Sequence, residues 1–421
     1  MDKKFASFKK SLERVYEHNK LYRDKMRKLN ITPDDIKSEE DIQKLPITEK
    51  KDFFIDYPYG YYATSQADIK VYHASSGTTG KPLIVGLTEN DMKYRSETIV
   101  KDLKMAGIQK SDVVQICLGL GMFTGGLSFY EGLRSLGCKI IPTATMSTKM
   151  QLFYMKQLKT TVLISSPSHV MRIYEVALEN GIDVKSLPLR IIRVGSELMT
   201  EKMRRKIKES FGEDVSVTQD YGMTEFLGPG LGMECEYGCG MHLNDDFYFE
   251  LVDPKTKKKT NGNIGELIIS SVYSEAFPLV RYATNDLVQI TREKCKCGRV
   301  SPRILRFLGR ADDMLKVKGV KIFVSQIEDF LFAHPKFNHQ YEIVLNDDNY
   351  KDSLTINVEY HRKISKDYQK YLKEYEKEIE EEFKNVFGIK SHIHIVDIKT
   401  IERPEGKVRR VKDYRTKMVP V

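Results

Sequence analysis

Ser75-Ser76-Gly77-Thr78-Thr79-Gly80-Lys81-Pro82 is the stretch of this chain best suited to grip an anion. Glycines let backbone N–H groups approach phosphate oxygens, hydroxyls donate, and lysine adds charge. The spacing differs from the common nucleotide loop, which needs a longer gap between its glycines and Ser or Thr after the lysine. Here Thr78 and Thr79 alone separate Gly77 from Gly80, and Pro82 follows Lys81. The plain alternative is a flexible Gly/Ser/Thr turn.

A second constellation involves sulfur. Cys235 and His242 form one cluster, Cys295 and Cys297 another. Three thiolates and an imidazole make a closed tetrahedral set for a structural Zn²⁺, with no open position for chemistry. Cys239 is a fifth candidate that could replace one ligand. Reduced, unligated thiols are the alternative, because Cys-X-Cys is not the commonest zinc spacing. Cys117 and Cys138 sit in apolar runs and read as small core residues.

The elements that must position these groups follow from periodicity. An amphipathic helix is expected through about Leu29, and Thr32-Pro33-Asp34-Asp35 reads as a helix start. Apolar strand-like runs at 112–118, 138–142, 161–165, 189–194 and 214–219 alternate with helical patterns at 126–136, 149–158, 168–180 and 199–210. That alternation predicts a parallel sheet covered by helices. From 243 to 309 short strands separated by turns such as Asn261-Gly262 predict an appended antiparallel region. A boundary falls near Gly309–Gly319. Beyond it the pattern is helix, two strands, a long helix over 364–386 and a strand, a small α+β domain. That helix places Ile364, Tyr368, Tyr371, Leu372, Tyr375, Ile379 and Phe383 on one face, which reads as core packing.

Composition sets outer limits. The 421 residues suffice for one large core and a smaller domain, and no stretch reaches membrane-spanning length. The N-terminus is charged and helical in pattern, so a cytoplasmic location is expected. Net charge is +9, with 68 Lys and Arg interleaved among 59 Asp and Glu. No basic block argues for nucleic acid. The excess reads as a solvated lysine-rich surface, or as a fit to anionic ligands.

Read in order, these motifs resemble the acyl-adenylate-forming (AMP-binding) superfamily, and more closely its compact phenylacetate–CoA ligase family. The likeness runs through Leu45-Pro46-Ile47-Thr48, the Ser75–Pro82 loop, Phe123-Thr124-Gly125-Gly126, Gly195-Ser196-Glu197 and Tyr221-Gly222-Met223-Thr224-Glu225. It continues through Arg281-Tyr282-Ala283-Thr284-Asn285-Asp286-Leu287, Gly309-Arg310-Ala311-Asp312-Asp313 and Glu405-Gly406-Lys407-Val408-Arg409-Arg410-Val411. Each is weak alone; the ordered set is specific.

The resemblance implies a large multi-layer α/β body over 1–309 with an appended antiparallel β region, and a small mobile α+β domain over 310–421. It implies activation of a carboxylic acid with ATP to acyl-AMP, release of pyrophosphate, and transfer to the thiol of coenzyme A. Ser75, Ser76, Gly77, Thr78, Thr79, Gly80 and Lys81 would hold the phosphates. Gly195, Ser196 and Glu197 end a strand, where open α/β sheets bind ligands, and would border the adenine and acyl groups, together with Asp220, Tyr221, Gly222 and Met223. Tyr221 offers adenine a ring, Thr224 a donor to the α-phosphate, and Glu225 a hard oxygen ligand for Mg²⁺. Without that context, Tyr221–Glu225 is an ordinary strand-to-helix turn with Thr224 as its cap.

Asp286 would accept the ribose hydroxyls and Arg310 would contact the ribose or phosphates; alone, Asp286 is a surface turn residue. Asp312 matches the hinge between domains, and Lys318-Gly319-Val320 the thiol-side loop. Lys407 would face the charge that grows as the carboxylate attacks the α-phosphorus; out of context it is one more surface lysine. Phe123, Gly125, Gly126 and Ser168 would line the acid pocket, and the Phe123 ring suits an aryl or arylacetic acid, although core packing explains it equally. Some relatives share the Cys/His pattern of a structural Zn²⁺. Val324 stands where relatives often have proline, which touches the backbone of the thiol-side loop.

Other readings stay open. The acyl group could pass to the phosphopantetheine arm of an acyl-carrier protein, or AMP to a cofactor. A nucleotide-sensing protein would have no need of Lys407 beside Glu225 and Asp286. A homodimer is compatible with the sequence.

Overall fold

A computed structural model describes residues 2–75, 81–310, 315–317, 320–348, 351–365, 368–403 and 410–415. The chain divides into two compact units, Met1–Met199 with Lys206–Phe307, and Thr200–Arg205 with Leu308–Val421.

The expected single N-terminal helix is two, α1 (Lys3–His18) and α2 (Lys20–Lys28). Asn19 makes the break. Its side chain accepts from the Tyr22 N–H at 2.8 Å and donates to the Tyr61 carbonyl at 2.9 Å. A buried Asn satisfied in this way competes with a continuing helix and instead caps the next one. Phe5, Phe8, Leu12, Val15, Tyr22 and Met26 bury the apolar face. The helix start expected at Thr32–Asp35 is only a short 3₁₀ turn, Pro33–Asp35.

β1 (Val71–Ala74) and β2 (Ile84–Leu87) pair antiparallel. α3 (Glu89–Met105) follows, with Thr88 and Asp91 capping it reciprocally. Then the expected alternation runs: β3 (Val113–Ile116), α4 (Thr124–Leu136), β4 (Lys139–Ile141), α5 (Thr148–Gln157), β5 (Val162–Ser165), α6 (Pro167–Glu179), β6 (Ile191–Val194), α7 (Glu201–Phe211) and β7 (Ser216–Met223). The antiparallel part starts earlier than expected, at β8 (Gly228–Glu234), and continues through β9 (Met241–Leu243), β10 (Phe247–Val252), β11 (Ile264–Ser271), β12 (Tyr282–Thr291) and β13 (Arg303–Arg310).

Among the described residues these strands form one eleven-stranded sheet in the order β10-β11-β12-β13-β9-β8-β7-β6-β5-β3-β4. β7 pairs parallel with β6 and antiparallel with β8, so the two strand patterns share one sheet and meet at β7. One motif of the resemblance is structural. Arg281 is buried, ion-pairs with Glu250 and donates to the carbonyls of Gln43 and Leu45. The Thr48 hydroxyl donates to the Val280 carbonyl at 2.7 Å. Leu45–Thr48 is therefore docked on the Val280–Ala283 segment.

The second unit holds the hairpin β14 (Leu315–Val317) and β15 (Val320–Ile322), then α8 (Val324–Phe332), β16 (Phe337–Asp348), β17 (Lys351–Tyr360), α9 (Gln369–Phe387), β18 (His392–Val396) and β19 (Val411–Asp413). Its sheet order is β18-β17-β16-β19. Leu372, Tyr375, Ile379 and Phe383 bury the α9 face against Ile343, Ile356 and Ile393. Ile364 and Tyr368 precede the helix, and Tyr371 is exposed, so the packed face is shorter than the periodicity suggests. Val324 occupies the first turn of α8, a position that proline also suits.

Candidate active site

β5 and β6 end side by side, Ser165 opposite Val194, while β7 pairs Gln219 with Val194 and runs on to Met223. The named segments lie at these two ends and along the extension of β7. After β6, Gly195 donates to the Ser165 carbonyl at 3.1 Å, and Ser196 takes a left-handed φ of 68°. A non-glycine residue held there stores strain of the kind found at functional sites. Glu197 folds onto the start of α6. Its Oε1 accepts from the Ser168 hydroxyl at 2.8 Å and its Oε2 from the Ser168 N–H at 3.2 Å. A carboxylate at a helix N-terminus is favoured by the exposed N–H groups and the dipole.

The Phe123–Gly126 segment starts α4. A Cβ added to Gly125 would stand 4.0 Å from the Ser196 Oγ, so this turn faces the end of β6. At Gly126 a Cβ would fall 2.3 Å from the Gly119 carbonyl oxygen, so that face is filled by backbone and only glycine fits. Phe123 is 55% exposed, which removes the core-packing explanation of its ring.

Ser75 and Lys81 flank the phosphate-loop sequence; Ser76, Gly77, Thr78, Thr79 and Gly80 lie outside the described residues. Ser75 closes the base of the loop. Its N–H donates to the Leu83 carbonyl at 2.9 Å and its Oγ accepts from the Leu83 N–H at 3.0 Å. The Lys81 side chain is exposed.

Tyr221 and Asp286 come together. The phenol donates to the Asp286 Oδ2 at 2.6 Å, and the Tyr221 ring lies 4.9 Å from that of Phe307. Asp286 is buried inside β12, not a surface turn residue, and its N–H donates to the Thr284 Oγ1 at 3.0 Å beside Asn285, whose φ is 62°. Gly222 lets β7 and β8 approach: a Cβ there would lie 2.3 Å from the Gly228 carbonyl oxygen. Thr224 opens a 3₁₀ turn, Thr224–Phe226, whose cap is Met223, so it is not the helix cap that the sequence allowed. Glu225 is buried, and its Oε1 accepts from the Tyr282 hydroxyl at 3.5 Å.

Asp220 looks inward. Its Oδ2 lies 3.7 Å from the Arg193 guanidinium and accepts from the Gly230 N–H at 3.1 Å. Arg193, fully buried, also pairs with Asp102 of α3 and donates to the Glu234 carbonyl. Burial pushes the Asp220 carboxyl well above its ordinary value, Asp102 adds to the rise, and Arg193 opposes it. Burial likewise pushes Asp102 up to about 6 against the pull of Arg193. What Asp220 offers the sheet edge is therefore its main chain. Nothing in the sequence signals the Asp102–Arg193–Asp220 group, because its members lie on three separate elements.

Cys235, His242, Cys295 and Cys297 converge, with all ligand atoms within 4.8 Å of one another. The Cys235 and Cys295 sulfurs are 3.8 Å apart, and the Cys297 sulfur lies 3.5 Å from His242 Nε2. Zn–S of about 2.3 Å and Zn–N of about 2.0 Å at tetrahedral angles give S···S near ~3.8 Å and S···N near ~3.5 Å. The cluster fits such an ion. Ser301 Oγ sits 3.0 Å from His242 Nδ1, which leaves Nε2 for the cluster. Burial, then Arg303 and Arg299, lowers His242 to about 4, so the ring is neutral as a ligand must be. Cys239 donates to the Tyr237 carbonyl at 3.3 Å and is not in the cluster. Cys117 is buried as expected, whereas Cys138 is only half-buried.

Arg310 ends β13 in the second unit and Val320 begins β15 there. Asp312, Lys318, Gly319 and Lys407 lie outside the described residues.

Comparison with known proteins sets these features in a family. Residues 3–274 match the model of the AMP-binding enzyme, and residues 319–415 that of the AMP-binding enzyme C-terminal domain. The phenylacetate-coenzyme A ligase of Pseudomonas putida is 35% identical over 408 residues, covering 96% of this chain and 92% of that protein. The chain belongs to the phenylacetate–CoA ligase family of AMP-binding enzymes. The ligase of the same name from Escherichia coli is 33% identical, covering 96% of this chain and 92% of the relative.

Among solved structures, a 2-hydroxyisobutyryl-CoA ligase with an acyl-AMP ligand superposes with a TM-score of 0.87 at 22% identity, covering 97% of this chain and 88% of that one. That likeness shows the shared fold. As a member of this phenylacetate–CoA ligase family, the chain is an AMP-forming acid–thiol ligase: it adenylates a carboxylic acid with ATP and transfers the acyl group to coenzyme A. None of its described helices is long and apolar enough to cross a membrane.

Proposed function

We propose that the acid is an aryl or arylacetic acid, with phenylacetate the first choice. The relatives at 32–35% identity that carry that substrate in their names support this, as does the exposed ring of Phe123, two residues before Gly125, which faces Ser196. The observation that carries the reading of the site is a pair of side-chain bonds on adjoining strands, Ser168 to Glu197 beyond the ends of β5 and β6 and Tyr221 to Asp286 from β7.

In this reading Tyr221 stacks on adenine while Asp286 accepts ribose hydroxyls. A carboxylate has lone pairs enough to keep the phenol as well. Gly195, Ser196, Glu197 and the main chain of Asp220, Gly222 and Met223 border the nucleotide and the acyl group. Ser75–Lys81 holds the phosphates, and Thr224 donates to the α-phosphate. Glu225 would hold Mg²⁺, which screens phosphate charge. Lys407 stabilises the charge of adenylation and Arg310 contacts the nucleotide. Asp312 serves as the hinge and Lys318–Val320 as the thiol side; these roles rest on the family motifs.

We assign residues 1–309 to the nucleotide- and acid-binding body and 310–421 to the mobile domain. The Cys235, His242, Cys295 and Cys297 cluster would hold a structural Zn²⁺ that clips the β8–β9 turn to the β12–β13 turn. A cytoplasmic setting accords with six cysteines that form no disulfide.

The test is pyrophosphate release from ATP with a panel of aryl, arylacetic and aliphatic acids, followed by addition of CoA. Phenylacetate should give the highest kcat/KM and a thioester of CoA. A clear preference for short aliphatic acids would overturn the assignment of the acid. Turnover with a pantetheinylated carrier protein and none with CoA would overturn the acceptor.

A further inference from the structure

Outside the residues given roles above, a buried polar chain links β1, α3 and α4. His73, fully buried, lies two residues before Ser75. Its Nε2 is 2.8 Å from Arg95 Nη1, and its Nδ1 is 3.2 Å from the Met122 carbonyl oxygen. A guanidinium only donates. Nε2 is therefore the acceptor, the ring is neutral, and its proton sits on Nδ1, from which it donates to Met122. Burial, then the Arg95 charge, hold the imidazole below its ordinary value, in accord with a neutral ring. The Ala74 N–H donates to the same Met122 carbonyl at 2.8 Å. Arg95, itself buried, donates from Nη2 to Glu131 Oε2 on α4 at 2.7 Å. Ser96 and Ser135 tie the same two helices at 2.9 Å.

We propose that His73 is a positioning residue that sets the register between Ser75, at the root of the phosphate loop, and the Met122–Phe123 segment, with Arg95 and Glu131 as its anchor. This rests on the reading that Phe123 and its neighbours face the acid. The reaction joins a carboxylate oxygen to the α-phosphorus, so the two binding segments must hold their separation closely; misplacement by about 1 Å costs on the order of a hundredfold in rate. One ring meets both demands because its two nitrogens take opposite roles. Nδ1 holds the acid-side segment and Nε2 holds the helix pair.

Two half-mimics separate these roles. His73→Asn keeps a donor near the Nδ1 position and gives up the acceptor for Arg95. His73→Gln keeps an acceptor near Nε2 and gives up the donor to Met122. The first measurement is hydrogen exchange of the 119–124 segment, which needs no substrate. H73Q should exchange faster there than wild type and H73N. The second is pyrophosphate release with the best acid of the panel. H73Q should lose kcat/KM for the acid by roughly ten- to hundredfold, and H73N no more than about threefold. KM for ATP should move less than KM for the acid. Equal exchange in all three proteins, or equal kinetic losses in both variants, overturns the proposal. Faster exchange in H73Q with unchanged kinetics overturns it too. Wild type inactive on every acid would sink the reading of function, while the exchange comparison would still decide the register.

Discussion

The Tyr221 hydroxyl donates to the Asp286 carboxylate at 2.6 Å, joining two residues 65 positions apart in sequence. The phenol holds one carboxylate oxygen in place before any ligand arrives. Tyr221→Phe keeps the ring and removes this bond. It should raise KM for ATP by about tenfold, the worth of a hydrogen bond to a charged group, with little change in kcat. Asp286→Asn should cost more, about a hundredfold in kcat/KM, because it removes the negative charge and replaces one of the two acceptor oxygens with an NH₂ donor. ATP-dependent pyrophosphate release measures both. A normal KM in D286N would contradict the ribose assignment.

The metal prediction is compositional and thermal. Purified protein should carry about one zinc per chain, and a strong chelator should lower its melting temperature. Cys295→Ser should destabilise the fold while the remaining folded enzyme keeps its intrinsic rate. Cys239→Ser should change neither, since that thiol points to the Tyr237 carbonyl. Elemental analysis without zinc, together with three freely titratable cluster thiols in the folded protein, would remove the site.

Asp102 makes a pH prediction. Burial raises its folded value to about 6 from an ordinary 3.8. A carboxyl raised on folding binds more protons in the native state than in the unfolded chain. Its contribution to stability is present below the unfolded value and is lost as pH rises through the folded one. Wild type should therefore lose stability relative to Asp102→Asn between pH ~4 and ~7. Urea melts of the two proteins across that range give the difference, which includes the relief of Asp220 from the Asp102 charge. A difference that stays flat with pH would mean that Arg193 holds Asp102 ionised throughout. Arg193→Met should be the most damaging change in this group, about 3–5 kcal/mol, because it strands two buried carboxylates.

What the sequence disclosed, and what it hid, follows from the kind of signal each element carries. The β3 to β7 alternation was plain because those strands are apolar runs with helices between them. α3 gave no such signal. Its buried face carries Asp91, Arg95 and Asp102, each matched to a partner elsewhere, so apolar periodicity is weak there. β8 was hidden for another reason: Gly228-Pro229-Gly230-Leu231-Gly232 does not look like a strand, yet it pairs with both β7 and β9. The metal cluster was legible because thiolate and imidazole are restrictive ligands. Tyr221 and Asp286 were each named by motif, but their bond was not, since pairing across 65 residues is set by the fold of the sheet.

The last prediction separates the two half-reactions. Making acyl-AMP needs positive charge where the pyrophosphate departs. Making the thioester needs room for a pantetheine thiol at the same carbonyl. In the function proposed above, Lys407 would serve the first task and Asp312 the passage between the two. Lys407→Ala removes a charge felt mainly in the transition state of adenylation, and loss of one such group costs on the order of a hundred- to thousandfold. Thioester formation from supplied acyl-AMP should stay nearly intact. Asp312→Pro fixes φ at the proposed hinge and should slow thioester formation much more than adenylation. Pyrophosphate release and acyl-CoA formation, followed separately in single-turnover assays, resolve the two steps. Equal depression of both steps by both substitutions would show that these two residues do not divide the work between adenylation and thiolation.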